Sequence, residues 1–217
     1  MGITILSMAT KVIIIGLSLI GLYCVSGLTQ GKFRIETLIY FTNLSIVFCI
    51  LYYPLALLIP GGGGNIIIGN IVFNIMGYLN GAVVLCVTVT MSVYNFALVP
   101  HIRKNNATYK LFSFSDIIVH YAVPTLAIMD WLFFAQKGLF SFYSPFIWSA
   151  IFLAYYFFLL IRARYGKALE YTQSRYPYYF INADLLGVKR TAKNLCFLSL
   201  AIIALGYGIT LFDRLLT

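Results

Sequence analysis

The sequence predicts an all-α, polytopic membrane protein of six transmembrane helices in one bundle. Three observations predict it. The 217 residues are 61% hydrophobic, with a mean hydropathy of +0.91. Only 10% are charged, against roughly 25% in an ordinary soluble domain. The apolar residues also arrive in blocks of about 20, the helix length that crosses roughly 30 Å of hydrocarbon. Helices are the default in lipid because each satisfies its own backbone. A β-barrel would show alternating segments of about ten residues, and these blocks are continuous. One integral-membrane domain, 1–217, is expected, with no room for a separate soluble module.

The spans fall at about 7–27, 35–59, 71–99, 115–136, 145–161 and 192–211. The first resembles a signal peptide, with Lys11, an apolar run and then Ser26-Gly27. It is nearly span length and lacks a small-x-small cleavage site, so it reads as span one. Loop one carries Lys32 and Arg34, loop three Arg103, Lys104 and Lys110. Loop five carries Arg162, Arg164, Lys167, Arg175, Lys189, Arg190 and Lys193. The odd loops thus hold twelve basic residues and the even loops one, Lys137. Basic loops stay cytoplasmic, so loops one, three and five are expected inside and both termini outside. The same placement explains the net charge of +9 without nucleic acid as a partner.

Loop two contains four consecutive glycines at 61–64 and reads as a mobile external hairpin. A helix over 65–99 would run to about 52 Å, so Ile66–Ile68 is expected to dip at the interface or to belong to a broken start. Cys24, Cys49, Cys86 and Cys196 all lie in apolar blocks, with no CxxC pair. They read as small hydrophobes, and neither a metal nor a cofactor is expected. In loop five, Arg175, Tyr176 and Tyr178 stand in an aromatic run suited to the lipid headgroup level.

Span four carries three ionisable residues, Asp116, His120 and Asp130. Such groups within a span face a partner or a cavity. Entered from the cytoplasmic side, His120 lies roughly 8 Å deep and Thr42 of span two roughly 10 Å. Ser92 and Asn95 of span three fall at roughly 6–10 Å, and Asn43 and Ser45 flank Thr42. Asp116 and His120, four apart, share a helix face. Asp130 lies about 15 Å further along and off that face, a second polar position. Pro124 deprives the His120 carbonyl of its usual bond.

A hydroxyl beside an imidazole is the minimal apparatus of acyl transfer. Thr42 would be nucleophile, His120 base, and Asn43 or Asn95 an oxyanion donor. The alternative is that these hydroxyls bond back to their own helices or join neighbouring ones. Spacing alone leaves both open.

Three segments carry a resemblance: Tyr40-Phe-Thr-Asn-Leu-Ser45, His120-Tyr-Ala-Val-Pro124 with Asp130-Trp131, and Tyr176-Pro-Tyr-Tyr-Phe180. In this order, and in span and loop length, the chain resembles the androgen-induced membrane hydrolase family, in particular its bacterial six-span branch. The resemblance implies a threonine hydrolase of fatty acid esters of hydroxy fatty acids, with Thr42 and His120 as the catalytic pair. It implies a fatty-acyl substrate drawn from the bilayer and a bacterial cell membrane location. Two other readings compete: a small proton-coupled transporter using Asp116, His120 and Asp130, and a non-catalytic lipid-binding membrane protein.

Overall fold

The computed structural model describes residues 2–59, 65–68, 71–105, 110–170 and 172–217. Among them are six helices long and apolar enough to cross a membrane. The chain is an all-α polytopic membrane protein. The sequence predicts one domain; the packing divides the chain into two compact units. The first runs to Phe140 and includes Asp213–Thr217, and the second is Ser141–Phe212.

In the first unit, α1 (Gly2–Val25) packs on α2 (Phe41–Leu58), and α2 packs on α3 (Ile75–Val93). Span three continues through a π turn, Tyr94–Leu98, into α4 (Val99–Asn105). Span four is α5 (Phe114–Ile117), a second π turn, Ile118–Ala122, and α6 (Val123–Phe134). The core between α1, α2, α3 and span four holds Ile14, Ile46, Cys49, Tyr53, Val87 and Val123. Close approach matters more than burial here, because lipid tails are as apolar as the side chains. At Gly21 of α1 a Cβ would sit 2.9 Å from the side chains of Ile118 and Val119. Glycine there lets α1 lie directly on the π turn of span four.

Both π turns share a sequence setting. Each ends one residue before a Val-Pro pair, Val99-Pro100 and Val123-Pro124. Proline has no N–H and its ring crowds the carbonyl four residues back. The widened turn relieves that crowding: the Val99 and Val123 N–H groups reach the carbonyls of Tyr94 and Ile118, five residues back.

Span two differs from the predicted continuous 35–59. Residues Ile35–Ile39 form a separate 3-10 turn, Tyr40 is extended at φ −80° and ψ 130°, and the α-helix begins at Phe41. The break is held by Asn43, whose Nδ2 donates to the Thr37 carbonyl at 2.6 Å. Thr42 therefore lies in the first turn of a helix.

Span three also begins later than predicted. β1 (Asn65–Ile68) and β2 (Ile71–Asn74) form an antiparallel hairpin in which Asn65 opposes Asn74 and Ile68 opposes Ile71. Ile66–Ile68 is thus a strand that precedes the helix, in keeping with the preference of isoleucine for pleated structure. Asn74 caps α3, its Oδ1 accepting the Gly77 N–H at 2.7 Å. Glycines 61–64 lie outside the described residues.

In the second unit, α7 (Ser144–Tyr165) and α9 (Val188–Leu215, within this unit to Phe212) are joined by residues 166–187. That connection contains a 3-10 turn, Tyr179–Ile181, and α8 (Ala183–Leu186). Gly206 of α9 seats Pro145 of α7, where a Cβ would be 3.0 Å from the proline ring. The connection is structured by its own polar groups. Arg162 donates to the carbonyls of Arg175 and Lys167, and Asn194 donates to Phe180 O at 2.8 Å. Arg175 forms a two-pronged pair with Asp184, with contacts of 2.8 Å to both carboxylate oxygens. Tyr176 and Tyr178 are buried. The guanidinium is thus engaged by a carboxylate while both phenol rings are buried.

Candidate functional site

Three elements of the first unit converge on His120: the first turn of α2, the π turn of span three and the π turn of span four. Thr42 Oγ1 lies 3.4 Å from His120 Nε2. The other ring nitrogen, Nδ1, lies 3.2 Å from the backbone carbonyl of Asp116 and 3.7 Å from its carboxylate Oδ1. The second carboxylate oxygen, Oδ2, accepts the Tyr94 hydroxyl at 2.9 Å. The Tyr94 ring stacks on the imidazole, with centroids 3.7 Å apart and planes 15° from parallel. Tyr94, Asp116 and His120 are all buried, whereas Thr42 is half-buried.

Local sequence explains each placement. Ser113 caps span four, its Oγ accepting the Asp116 N–H at 3.3 Å, which seats the carboxylate in a first helical turn where negative charge is favoured. One helical turn on, His120 presents Nδ1 back toward Asp116. Thr42 stands at the second position of α2, which has no side-chain cap. The carbonyl of Tyr40 takes the N–H groups of Asn43 and Leu44. The Thr42 N–H belongs to the set that a helix leaves without an intrahelical acceptor, so hydroxyl and amide share one residue at a positive helix end.

The remaining predicted residues divide. Asn43 donates to Thr37, as above. Ser45 joins α2 to its own turn and to α3, with Oγ 2.9 Å from Phe41 O and 2.8 Å from Thr90 Oγ1. Asn95 Nδ2 donates to Met91 O at 2.8 Å, and its Oδ1 accepts the Tyr121 hydroxyl at 2.7 Å. Ser92 is half-buried on α3 and makes no hydrogen bond to Thr42 or His120. Asn43, Ser45 and Asn95 therefore brace the helices around the pair. Neither asparagine donates to Thr42: each Nδ2 is taken by a backbone carbonyl.

Asp130 is not part of this cluster. It is buried and pairs with Lys11 of α1, Nζ to Oδ1 at 2.7 Å. Lys11 also donates to Ser7 Oγ at 2.7 Å. Nearby, Lys137 donates to the carbonyls of Trp131 and Ala135, closing the end of α6. Burial pushes its ammonium below the ordinary lysine range, against the pull of Asp213 and Asp130. Among the described residues no group of three or more His, Cys, Asp or Glu side chains gathers as a metal site would require.

Sequence reasoning missed Tyr94 and the partner of Asp130. Tyr94 carried a signal, as a phenol beside Asn95 at the depth of the polar layer. Lys11 carried a stronger one. It is a cation inside span one, near the end of the bilayer where Asp130 was expected. Comparison with protein-family models, with curated proteins and with solved structures finds no match to this chain.

Proposed function

We propose that this chain is an intramembrane lipid ester hydrolase acting on a fatty-acyl ester, with Thr42 as nucleophile and His120 as base. The single observation that carries the reading is the 3.4 Å approach of Thr42 Oγ1 to His120 Nε2, with Nδ1 occupied by Asp116. That distance is loose for a hydrogen bond, as catalytic contacts often are before substrate binds. Thr42 attacks the ester carbonyl as Nε2 takes the hydroxyl proton. The tetrahedral oxyanion is stabilised by the backbone N–H of Thr42 in the opening turn of α2. His120 then returns the proton to the departing alcohol, leaving an acyl-Thr42 ester. A water deprotonated by His120 hydrolyses that ester, releasing the fatty acid and restoring Thr42.

The resemblance to the androgen-induced membrane hydrolases supports the same two residues. The basic loops support a position of the pair toward the cytoplasmic leaflet, with both termini outside, and the resemblance supports a bacterial cell membrane. Asp130, one of the three groups of the proton-relay reading, is engaged by Lys11 away from the Thr42–His120 pair. A fluorophosphonate probe tests the proposal: wild-type protein in detergent is expected to label covalently, and Thr42→Ala protein not at all. Equal labelling of the two proteins refutes Thr42 as nucleophile.

A further inference from the structure

A neutral imidazole has one N–H donor and one acceptor nitrogen. Which nitrogen holds the proton decides whether His120 is able to take one from Thr42. Nδ1 faces the Asp116 carbonyl at 3.2 Å and the Asp116 carboxylate at 3.7 Å. A carbonyl and an ionised carboxylate only accept. With Nδ1 as donor, Nε2 is left as the acceptor facing Thr42.

The arrangement depends on Asp116 keeping a fixed orientation. A carboxylate swung away from the ring would leave Nδ1 without that neighbouring acceptor. Tyr94 opposes this. Its hydroxyl donates to Asp116 Oδ2 at 2.9 Å, a charge-assisted bond that anchors the carboxylate. Its ring, stacked 3.7 Å from the imidazole, resists rotation of His120. Both rings sit on π turns, Tyr94 as the first residue of one and His120 as the third of the other.

We infer that Tyr94 is a positioning residue that fixes the Nδ1–H tautomer of His120, by anchoring Asp116 through its hydroxyl and stacking its ring on the imidazole. The catalytic consequence rests on the hydrolytic reading; the tautomer itself does not. Tyr94 is placed against His120 and Asp116 and acts through them on Thr42.

Nitrogen-15 spectra of histidine-labelled protein in detergent test it, at a pH where the imidazole is neutral. The chain has two histidines, so His101→Gln assigns His120. Wild-type protein is expected to show Nδ1 protonated and Nε2 bare. In Tyr94→Phe, which keeps the ring, the ratio of Nδ1–H to Nε2–H forms is expected to fall roughly tenfold, the loss of one charge-assisted hydrogen bond. The rate of Thr42 labelling should fall by a similar factor. A wild-type tautomer ratio in Tyr94→Phe overturns the inference. Should that variant fail to fold, Asp116→Asn replaces it, and an unshifted ratio there overturns the inference equally. Absence of labelling in wild-type protein, with the tautomer shifted in Tyr94→Phe, sinks the hydrolase reading and leaves the role of Tyr94 standing.

Discussion

The Lys11–Asp130 pair offers the most direct thermodynamic test of the first unit. The pair spans α1 and α6 at 2.7 Å, with Lys11 13% and Asp130 1% exposed. Lys11→Met keeps the length and apolar stem of the side chain but leaves Asp130 without its contact partner. Removing one member of a buried ion pair costs about 3–5 kcal/mol, because the other charge stays desolvated. Lys11 retains some access to its surroundings and Lys137 adds a second, more distant positive charge, so the lower end, about 3 kcal/mol, applies. The double variant Lys11→Met/Asp130→Leu has no orphaned charge and should recover most of that loss. The assay is equilibrium unfolding in mixed micelles for wild type, both single variants and the double, read as a double-mutant cycle. A Lys11→Met protein within about 0.5 kcal/mol of wild type, or a double variant no better than the single, would refute the argument that the pair is desolvated and fixed.

Three further outcomes follow from other parts of the structure. Thr42→Ser keeps the hydroxyl and should still label with the fluorophosphonate probe, separating chemistry from packing where Thr42→Ala cannot. Gly21→Val places a branched side chain where a Cβ already meets Ile118 and Val119 at 2.9 Å; thermal unfolding should show a loss of about 1–3 kcal/mol. Arg175→Ala removes a pair whose members are 45% and 48% exposed, so the same assay should show a change below about 1 kcal/mol. Sedimentation with anionic vesicles should be little altered by it.

The spans were legible because composition and block length report directly on the solvent that a helix occupies. The common depth of Thr42 and His120 was legible for the same reason: rise per residue converts sequence position into depth once a side of entry is assumed. Rotation about each helix axis was not legible. Depth placed Asn43, Ser45, Ser92 and Asn95 beside the pair, yet the structure turns Ser45 toward Thr90 and Asn95 toward Tyr121. The late start of α2 depends on an asparagine reaching back six residues to a carbonyl, which no periodic pattern encodes. Lys11 reads in the sequence as the charged start of a signal-peptide-like run, a role that points to no partner. Arg175 and Asp184 lie nine residues apart in an aperiodic connection, where spacing carries no geometric meaning.

The two π turns make this site sensitive to chain length in a way that composition would not reveal. A π turn amounts to one residue more than an α-helix needs for the same rise. Deleting Ala122 would let span four run as a plain α-helix, with its apolar character and membrane insertion intact. Everything on one side of the deletion would turn by about 100° relative to the other. Asp116 and His120, both before the deletion, would turn together away from Thr42 and Tyr94 while Asp130 kept its place against Lys11. Such a shortened chain should insert, fold and retain the ion pair, yet lose the approach of His120 to Thr42. The Val-Pro pair that closes each π turn is thus a reading-frame marker within the helix, setting the phase in which the polar residues before it are presented.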